Sequence, residues 1–369
     1  MEEFFATAAK GTEGALRDEL RELRLRHIRA DRGGVHFGGV FRDGIKACFE
    51  SRIAQRILWK QGAFSAPGPD SLYEGMREID WTHVLDAKRT LAVTAHVKHG
   101  ELRHSGFVAQ KAKDAIVDQL RERFGARPDV DRKDPDVHVV VHLAKDEAEV
   151  FVDLAGEPLH RRGYRTEARE APIKETLAAA MLRLGGWDRT RPLVDPMCGS
   201  GTIAIEGYLW AYDVAPGLLR KHYGFERWAS FDEMQARILG DMRASARDRI
   251  KKTGPSILAL DHEREAVALA RTLAKSAGAV IRVEHGEVED FLGTDPAGHV
   301  VTNPPYGVRL ARGDDFEVML GEVFSGLLGH RISVLCHDRT LEHSMRAAPI
   351  QEHALWNGDL ECRLYSWQL

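Results

Sequence analysis

Four clusters in this 369-residue chain combine acidic, amide and glycine residues at spacings that could do chemistry. The first is Leu193-Val194-Asp195-Pro196-Met197-Cys198-Gly199-Ser200-Gly201-Thr202, which closes a short apolar run and opens a helical pattern. Gly199 and Gly201 permit a tight turn and let a ligand approach the backbone without a Cβ in the way. The helix that follows offers unpaired N–H groups to a carboxylate or phosphate. Asp195 can accept from an ammonium or a hydroxyl. The candidate ligand loop is therefore Asp195, Pro196, Cys198, Gly199, Gly201 and Thr202. The same turn also serves nicotinamide cofactors or plain packing. A nicotinamide is disfavoured because the third glycine is missing. In addition, the next strand-end acid, Asp261, lies about 60 residues on where about 20 is usual, although an inserted segment would explain that distance.

The second cluster, Ile257-Leu258-Ala259-Leu260-Asp261, ends in a carboxylate whose two oxygens can accept from both hydroxyls of a ribose. Asp261 could equally cap the helix expected over Glu263–Ser276. The third, Val283-Glu284-His285-Gly286-Glu287-Val288-Glu289-Asp290, places Glu287 and Asp290 where either could accept from an adenine amine, or form a solvated acidic loop.

The fourth cluster, Val301-Thr302-Asn303-Pro304-Pro305-Tyr306-Gly307, is the most specific. Two prolines after a buried strand stop the ladder and fix the carbonyls before them. Asn303 Oδ1 and the Pro304 carbonyl could accept both N–H bonds of an exocyclic amine and direct its lone pair at a methyl group. Tyr306 offers a face on which a base can stack. A base reaching such a pocket must be flipped out or single-stranded.

These clusters need a parallel sheet to hold them. From Ile173–Leu184 onward, strands and helices alternate: Pro192–Asp195, Ser200–Ala211, Ile257–Asp261, Glu263–Ser276, Arg282–Glu287, Val300–Asn303, Phe316–Leu328 and Ile332–His337. Short apolar runs, each followed by a helix, predict a doubly wound α/β sheet covered on both faces. Glu352–Trp356 and Leu360–Trp367, joined at Asn357-Gly358, add a C-terminal antiparallel hairpin.

The N-terminal half reads as α+β with antiparallel strands. Strands are expected at Phe4–Thr7, Gly34–Phe37, Leu91–Val97, Val137–Leu143 and Glu149–Leu154, the last two joined by a hairpin loop over 144–148. Helices are expected at Thr12–Leu23, Phe107–Phe124 and Asp43–Trp59, the last from Ile45, Phe49, Ile53 and Ile57 spaced four apart. Ser65–Ser71, with two prolines and a glycine, reads as a connector.

No stretch reaches the roughly 18 apolar residues that a membrane span needs. The start, Met1-Glu2-Glu3-Phe4-Phe5, is acidic and unlike a secretory signal, so a cytoplasmic protein is expected. Cys48, Cys198, Cys336 and Cys362 form no metal-binding or disulfide spacing, and no metal is expected. The net charge of −4 leaves nucleic-acid binding to local basic patches. Candidates are Arg161, Arg162 and Arg165 in His160–Arg165, Arg220 and Lys221 in the aromatic-rich run Leu219–Trp228, and Lys111 and Lys113 after Gly106. Each run could instead be a solvated surface with aromatics tucked beneath it.

In this order the motifs resemble the THUMP-containing RNA methyltransferases, particularly the bacterial branch that makes N2-methylguanosine in 23S ribosomal RNA. The resemblance extends through Phe5–Gly11, Gly33–Phe37, Lys113–Asp118, Pro128–Asp136, Leu159–Tyr164, Ala171–Ala178, Asp195–Thr202, Ala215–Gly217 and Asn303–Gly307. It implies a ferredoxin-like region over 1–65, a THUMP RNA-binding domain over 66–158, a linker over 159–172, and a Rossmann-like class I methyltransferase domain over 173–369. It further implies S-adenosylmethionine at Asp195, Gly199, Gly201, Asp261 and Glu287, with Lys174 and Thr176 nearby. Asn303, Pro304 and Tyr306 would hold a guanine, with Pro305 in the same turn. Guanine over adenine rests on the resemblance alone. Many members carry a second methyltransferase domain that makes 7-methylguanosine; this chain ends at Leu369, so that activity is expected to be missing. Asp261-His262-Glu263 also departs from the Asp-x-Asp that the resemblance implies, with Glu263 in place of the second aspartate. Other readings are guanine-N2 methylation of transfer RNA, adenine-N6 methylation, and a non-catalytic RNA-binding factor in ribosome assembly.

Overall fold

The structure is a computed structural model that describes residues 1–165, 173–305 and 315–369. Tyr306 and half of the expected linker, residues 166–172, lie outside the described residues.

The N-terminal half forms one seven-stranded sheet. Its elements are β1 (Glu2–Thr7), α1 (Glu13–Glu22), β2 (Arg26–Asp31), β3 (Gly34–Gly39), α2 (Phe41–Glu50), β4 (Arg56–Ser65), α3 (Pro69–Glu78), β5 (Leu91–Lys98), α4 (Ser105–Phe124), β6 (Val137–Ala144) and β7 (Glu147–Asp153). The strand order is β2-β3-β1-β4-β7-β6-β5. Alternate residues Phe4, Ala6, Val35, Phe37, Ile57, Val139, Val141, Val150 and Val152 point to one buried face. There they share a core with Leu16, Leu20, Ile45, Phe49, Leu72, Met76, Val108 and Ile116 from the four helices. This is the period-2 against period-3.6 matching that an α+β layer needs.

Three expectations change here. Asp43–Trp59 is not one helix: α2 stops at Glu50 and β4 starts at Arg56. The buried Glu19 carboxylate on α1 accepts from Ser51 Oγ (2.6 Å), Arg52 N (2.9 Å) and Ile53 N (3.3 Å). Those N–H groups are thus satisfied outside a helix, and Ile57 joins the ladder with Ala6. Second, β5 and β6 pair in parallel, with α4 as the crossover. Third, the expected connector already contains the first turn of α3, which opens on Pro69. The hairpin over 144–148 is tighter than expected. Lys145 and Asp146 alone make its turn, both in the left-handed region (φ 52° and 63°) that a two-residue hairpin favours.

The C-terminal half forms a second seven-stranded sheet. Its elements are α5 (Glu175–Leu184), β8 (Leu193–Asp195), α6 (Thr202–Ala211), α7 (Glu233–Asp248), β9 (Ile257–Asp261), α8 (Arg264–Ala277), β10 (Arg282–His285), β11 (His299–Thr302), α9 (Asp315–Ser325), β12 (Arg331–Cys336), α10 (Thr340–Ser344), β13 (Gln351–Asn357) and β14 (Leu360–Gln368). The order is β10-β9-β8-β11-β12-β14-β13, with β10 to β12 parallel and β14 antiparallel to both neighbours. The closing turn is Gly358-Asp359, one residue later than expected, with Gly358 at φ 65°. Among the described residues no helix is long and apolar enough to cross a membrane. All four cysteines are buried, and none forms a disulfide.

The insertion between β8 and β9 packs on the N-terminal half. Tyr223, Phe225, Trp228 and Leu239 join the first core, and Trp228 stacks on Trp59 with ring centroids 6.0 Å apart. Two arginines expected to face RNA are buried in this junction. Arg162 is 1% exposed and pairs with the buried Glu206 of α6 at 3.2 Å. It also donates to the carbonyls of Leu159 (2.9 Å) and Arg52 (2.5 Å). Arg220 is 7% exposed and donates to the carbonyls of Ala155, Glu157, Pro158 and Arg161. Both guanidinium groups turn inward onto buried acceptors and present little surface, which is the reverse of the outward-facing cations expected from the sequence.

Candidate cofactor and base-holding site

Parallel pairing brings the carboxyl ends of β10, β9, β8 and β11 to one edge of the second sheet. Ligands of open α/β sheets bind at that edge, where the strand order reverses about the first strand. Here β8 is the strand of reversal, flanked by β9 and β11.

The loop after β8 is built by short-range constraints. Gly199 (φ 52°) and Gly201 (φ 76°) both lie in the left-handed region. A Cβ at Gly201 would stand 3.0 Å from the Ala270 Cβ, so this glycine lets α6 pack on α8. A Cβ at Gly199 would meet nothing within 4 Å, which leaves open space over that peptide. The loop is tied to β9 by Cys198 N donating to Leu260 O (2.9 Å) and Gly199 N donating to Asp261 Oδ2 (2.7 Å). Cys198 is buried, and desolvation, reinforced by Asp195 and Asp261, pushes its thiol pKa far up. It serves the loop through its backbone. Pro196 is likewise buried, and the Thr202 hydroxyl takes a bond from Arg165.

Asp195 is 1% exposed. Burial raises its pKa to about 7, against the pull of the Thr302 hydroxyl and the Met197 N–H. Thr302 Oγ1 donates to Asp195 Oδ1 at 2.7 Å, joining the glycine loop to the Asn303 turn. Sequence reasoning passed over Thr302. Its signal was present: a hydroxyl one residue before Asn303, on the strand next to β8.

The Asp261 carboxylate ties the glycine loop to the approach to α8, whose N-cap is Glu263. Oδ1 accepts from Glu263 N (2.9 Å) at the start of α8, while Oδ2 holds Gly199. Each carboxylate oxygen keeps a further lone pair for a ligand hydroxyl. Gly286 N donates to Asp261 O at 3.1 Å, which sets the half-buried Glu287 beside this strand end. Asp290 is exposed.

Asn303 Oδ1 and Thr176 Oγ1 are among the buried oxygens that have no hydrogen-bond partner among the described residues. A buried polar atom without a partner costs about 1–3 kcal/mol, a penalty that a ligand donor would relieve. Pro304 is buried and Pro305 half-buried beside Asn303. Lys174 is exposed at the cap of α5. The acidic strand ends, the open space at Gly199 and these two oxygens fit an adenosine cofactor carrying an amino-acid end.

The remaining basic candidates scatter. Arg165 bonds Glu175, Ser200 and Thr202 at the glycine loop. Arg161 is exposed and paired with Glu157 at 3.0 Å, and Lys221 is exposed. Lys111 lies 4.9 Å over the Tyr73 ring and Lys113 pairs with Asp114.

Comparison with known proteins matches this architecture segment by segment. Residues 3–58 match the RlmL ferredoxin-like domain, 69–153 the THUMP domain, and 162–366 the RMKL-like methyltransferase domain. The chain is 38% identical over 384 residues to the ribosomal RNA large subunit methyltransferase K/L of Syntrophotalea carbinolica, covering 99% of the chain and 53% of that protein. It is 39% identical over 378 residues to the protein of the same name from Methylococcus capsulatus, covering 100% and 51%. The chain thus spans about half the length of the curated relatives it matches. The crystal structure of SMU.472, a putative methyltransferase complexed with SAH, superposes with a TM-score of 0.89 at 30% identity, covering 100% of this chain and 98% of that one. With a glycine loop, acidic strand ends and an Asn-Pro-Pro turn on one sheet edge, and a profile match over more than half its length, the chain belongs to the RMKL-like methyltransferase-domain family.

Proposed function

We propose that this protein transfers a methyl group from S-adenosylmethionine to the exocyclic N2 amine of a guanine in 23S ribosomal RNA. The observation that carries the reading is the partnerless, buried Asn303 Oδ1 beside Pro304 at the mouth of the glycine-loop site. When bound, S-adenosylmethionine supplies an electrophilic methyl group. Asn303 Oδ1 and the Pro304 carbonyl accept the two amine N–H bonds, which turns the nitrogen lone pair toward that methyl. Neither group is a base at neutral pH, so their contribution is orientation and dipolar stabilisation. Tyr306 supplies the stacking face. Asp195, Asp261 and Glu287 hold the cofactor's hydroxyl and amino groups around the loop of Pro196, Cys198, Gly199, Gly201 and Thr202, with Lys174 and Thr176 alongside. Residues 1–65 and 66–158 dock the RNA, 159–172 link, and 173–369 carry out the transfer. Arg161, Lys111, Lys113 and Lys221 are the exposed or half-exposed cations that remain for phosphate contact. Resemblance to proteins named as large-subunit ribosomal RNA methyltransferases supports the substrate assignment.

The test is methyl transfer from labelled S-adenosylmethionine to total RNA from cells lacking this gene, followed by size separation and nucleoside analysis. N2-methylguanosine in 23S ribosomal RNA is expected. Label in transfer RNA would move the substrate, label as N6-methyladenine would move the base, and no label with intact cofactor binding would favour a non-catalytic role.

A further inference from the structure

The run Phe5–Gly11 carries a cation that neither the cofactor site nor the core uses. The loop between β1 and α1 is held tightly. The Glu13 carboxylate accepts from Gly11 N (2.8 Å) and from Gly33 N (3.1 Å), and Thr12 Oγ1 donates to Ala9 O (2.7 Å). A Cβ at Gly11 would collide with the Ala354 carbonyl oxygen. The first half therefore rests its backbone directly on β13, the outer strand of the second sheet. This contact carries Lys10 across the boundary, and its Nζ lies 3.5 Å from the centre of the Trp356 ring. Lys10 is exposed and Trp356 is half-buried. No carboxylate pairs with the ammonium among the described residues, although Glu361 stands opposite Trp356 on β14.

The strand register places this cation. Thr302, Val334, Tyr365 and Glu352 align across β11, β12, β14 and β13. Because β14 is antiparallel to both neighbours, β13 runs in the same direction as β11. Asn303 follows that row by one residue and Trp356 by four. At about 3.3 Å per residue and about 4.8 Å per strand, Trp356 stands about 10 Å beyond Asn303 along the strands and about 14 Å to its side. The β13–β14 hairpin is thus a wall that rises past the Asn303 turn at the carboxyl edge. Its own Arg363 is paired with Glu352, and its other charges, Asp359 and Glu361, are acidic. The unpaired cation on this wall comes from the first half.

We propose that Lys10, positioned by Trp356, contacts a backbone phosphate of the RNA strand next to the nucleotide seated at Asn303. This rests on the RNA-methylation reading given above. A lysine ammonium is a compact charge with three donors, suited to phosphate, on a flexible stem. Lying against the indole face narrows the positions that stem can take. Trp356 is a positioning residue. The half that docks the RNA in that reading therefore also sets a charge at the rim of the site, and couples docking to placement of the target.

The test is binding of undermethylated 23S ribosomal RNA across a salt series, together with KM and kcat for methyl transfer. Lys10→Met should make the slope of log affinity against log salt shallower by about 0.7–0.9, the share of one phosphate, and weaken binding about 5- to 8-fold at about 0.1 M salt. KM should rise in step while kcat holds within about twofold. Trp356→Leu should raise KM about 2- to 3-fold with the salt slope kept, because the charge remains. Adding Lys10→Met to it should give the effect of Lys10→Met alone. Lys275→Met, at the far end of α8, should change neither slope nor KM. An unchanged slope in Lys10→Met would overturn the inference, and a fall in melting temperature alongside it would show the pair to be a clasp between the halves only. Equal loss of slope in Lys275→Met would also overturn it, because the place of the charge would not matter. Failure of the unaltered protein to label this RNA would instead remove the methylation reading itself.

Discussion

Replacing Arg162 by Met tests how the halves are held together. The guanidinium is 1% exposed and the Glu206 carboxylate is fully buried. After the substitution, the Tyr164 hydroxyl 3.4 Å away is the hydrogen-bond donor left to Glu206 among the described residues. Removing one partner of a buried ion pair costs about 3–5 kcal/mol. The carbonyls of Leu159 and Arg52 also lose their guanidinium donor, adding about 1 kcal/mol or more. A total of about 4–6 kcal/mol is expected, against a usual whole-protein stability of about 5–15 kcal/mol. Urea unfolding followed by tryptophan fluorescence would read it as a large fall in midpoint. Arg162→Met combined with Glu206→Met removes both charges and should recover about 2–3 kcal/mol, the carbonyls remaining unpaired. A single variant that loses less than about 1 kcal/mol, or a double variant as unstable as the sum of its parts, would refute the pairing argument. Weakened RNA binding without lost stability would return Arg162 to the RNA surface.

The remaining predictions concern the site. Asn303→Ala should abolish methyl transfer while cofactor affinity stays within about twofold, whereas Asp195→Ala should lose both; full transfer by Asn303→Ala in a single-turnover assay would remove the proposed mechanism. Burial raises the Asp195 pKa from 3.8 to about 7, so the folded protein keeps a proton that the unfolded chain releases between those values. That contribution to stability is complete at low pH and is lost as pH rises toward 7. Binding of a cofactor ammonium at Asp195 should correspondingly release a proton below pH 7, and calorimetry showing no proton release from about pH 5.5 to about 8 would contradict it. Gly201→Ala should cost about 2–3 kcal/mol in thermal or urea unfolding, because it combines left-handed strain with the 3.0 Å approach to Ala270. Gly199→Ala, with open space around it, should cost about 1 kcal/mol of stability.

The sheet edge was legible because local chemistry and burial agree there. Short fully apolar runs ending in Asp195, Asp261 and Thr302-Asn303 have one stable arrangement, a parallel sheet with its loops at the carboxyl ends. What was hidden is tertiary. Ile45, Phe49, Ile53 and Ile57 satisfy a helical period, and only Glu19, more than 30 residues away, breaks it at Ser51. Arg162 and Arg220 carry the composition of an RNA-facing surface. Their burial depends on Glu206 and on four carbonyls that no spacing rule reveals. Arg165 belonged to the same basic run and lies at the glycine loop instead. The parallel pairing of β5 and β6 was missed because strand composition does not encode direction, although the long helix between them did imply a crossover.

Strand β4 has a wider consequence. It is ten residues long, about 33 Å, with β1 on one side and β7 along most of the other. The regions on either side of it share a backbone ladder, so bending one against the other would break that ladder. The packed insertion and the arginine-lined junction then brace this slab against the second sheet. On the function proposed above, such a body would act as a caliper: an RNA held by the first half would present to Asn303 only a nucleotide at a set distance, and the target would be chosen by length along the folded RNA with little reading of sequence.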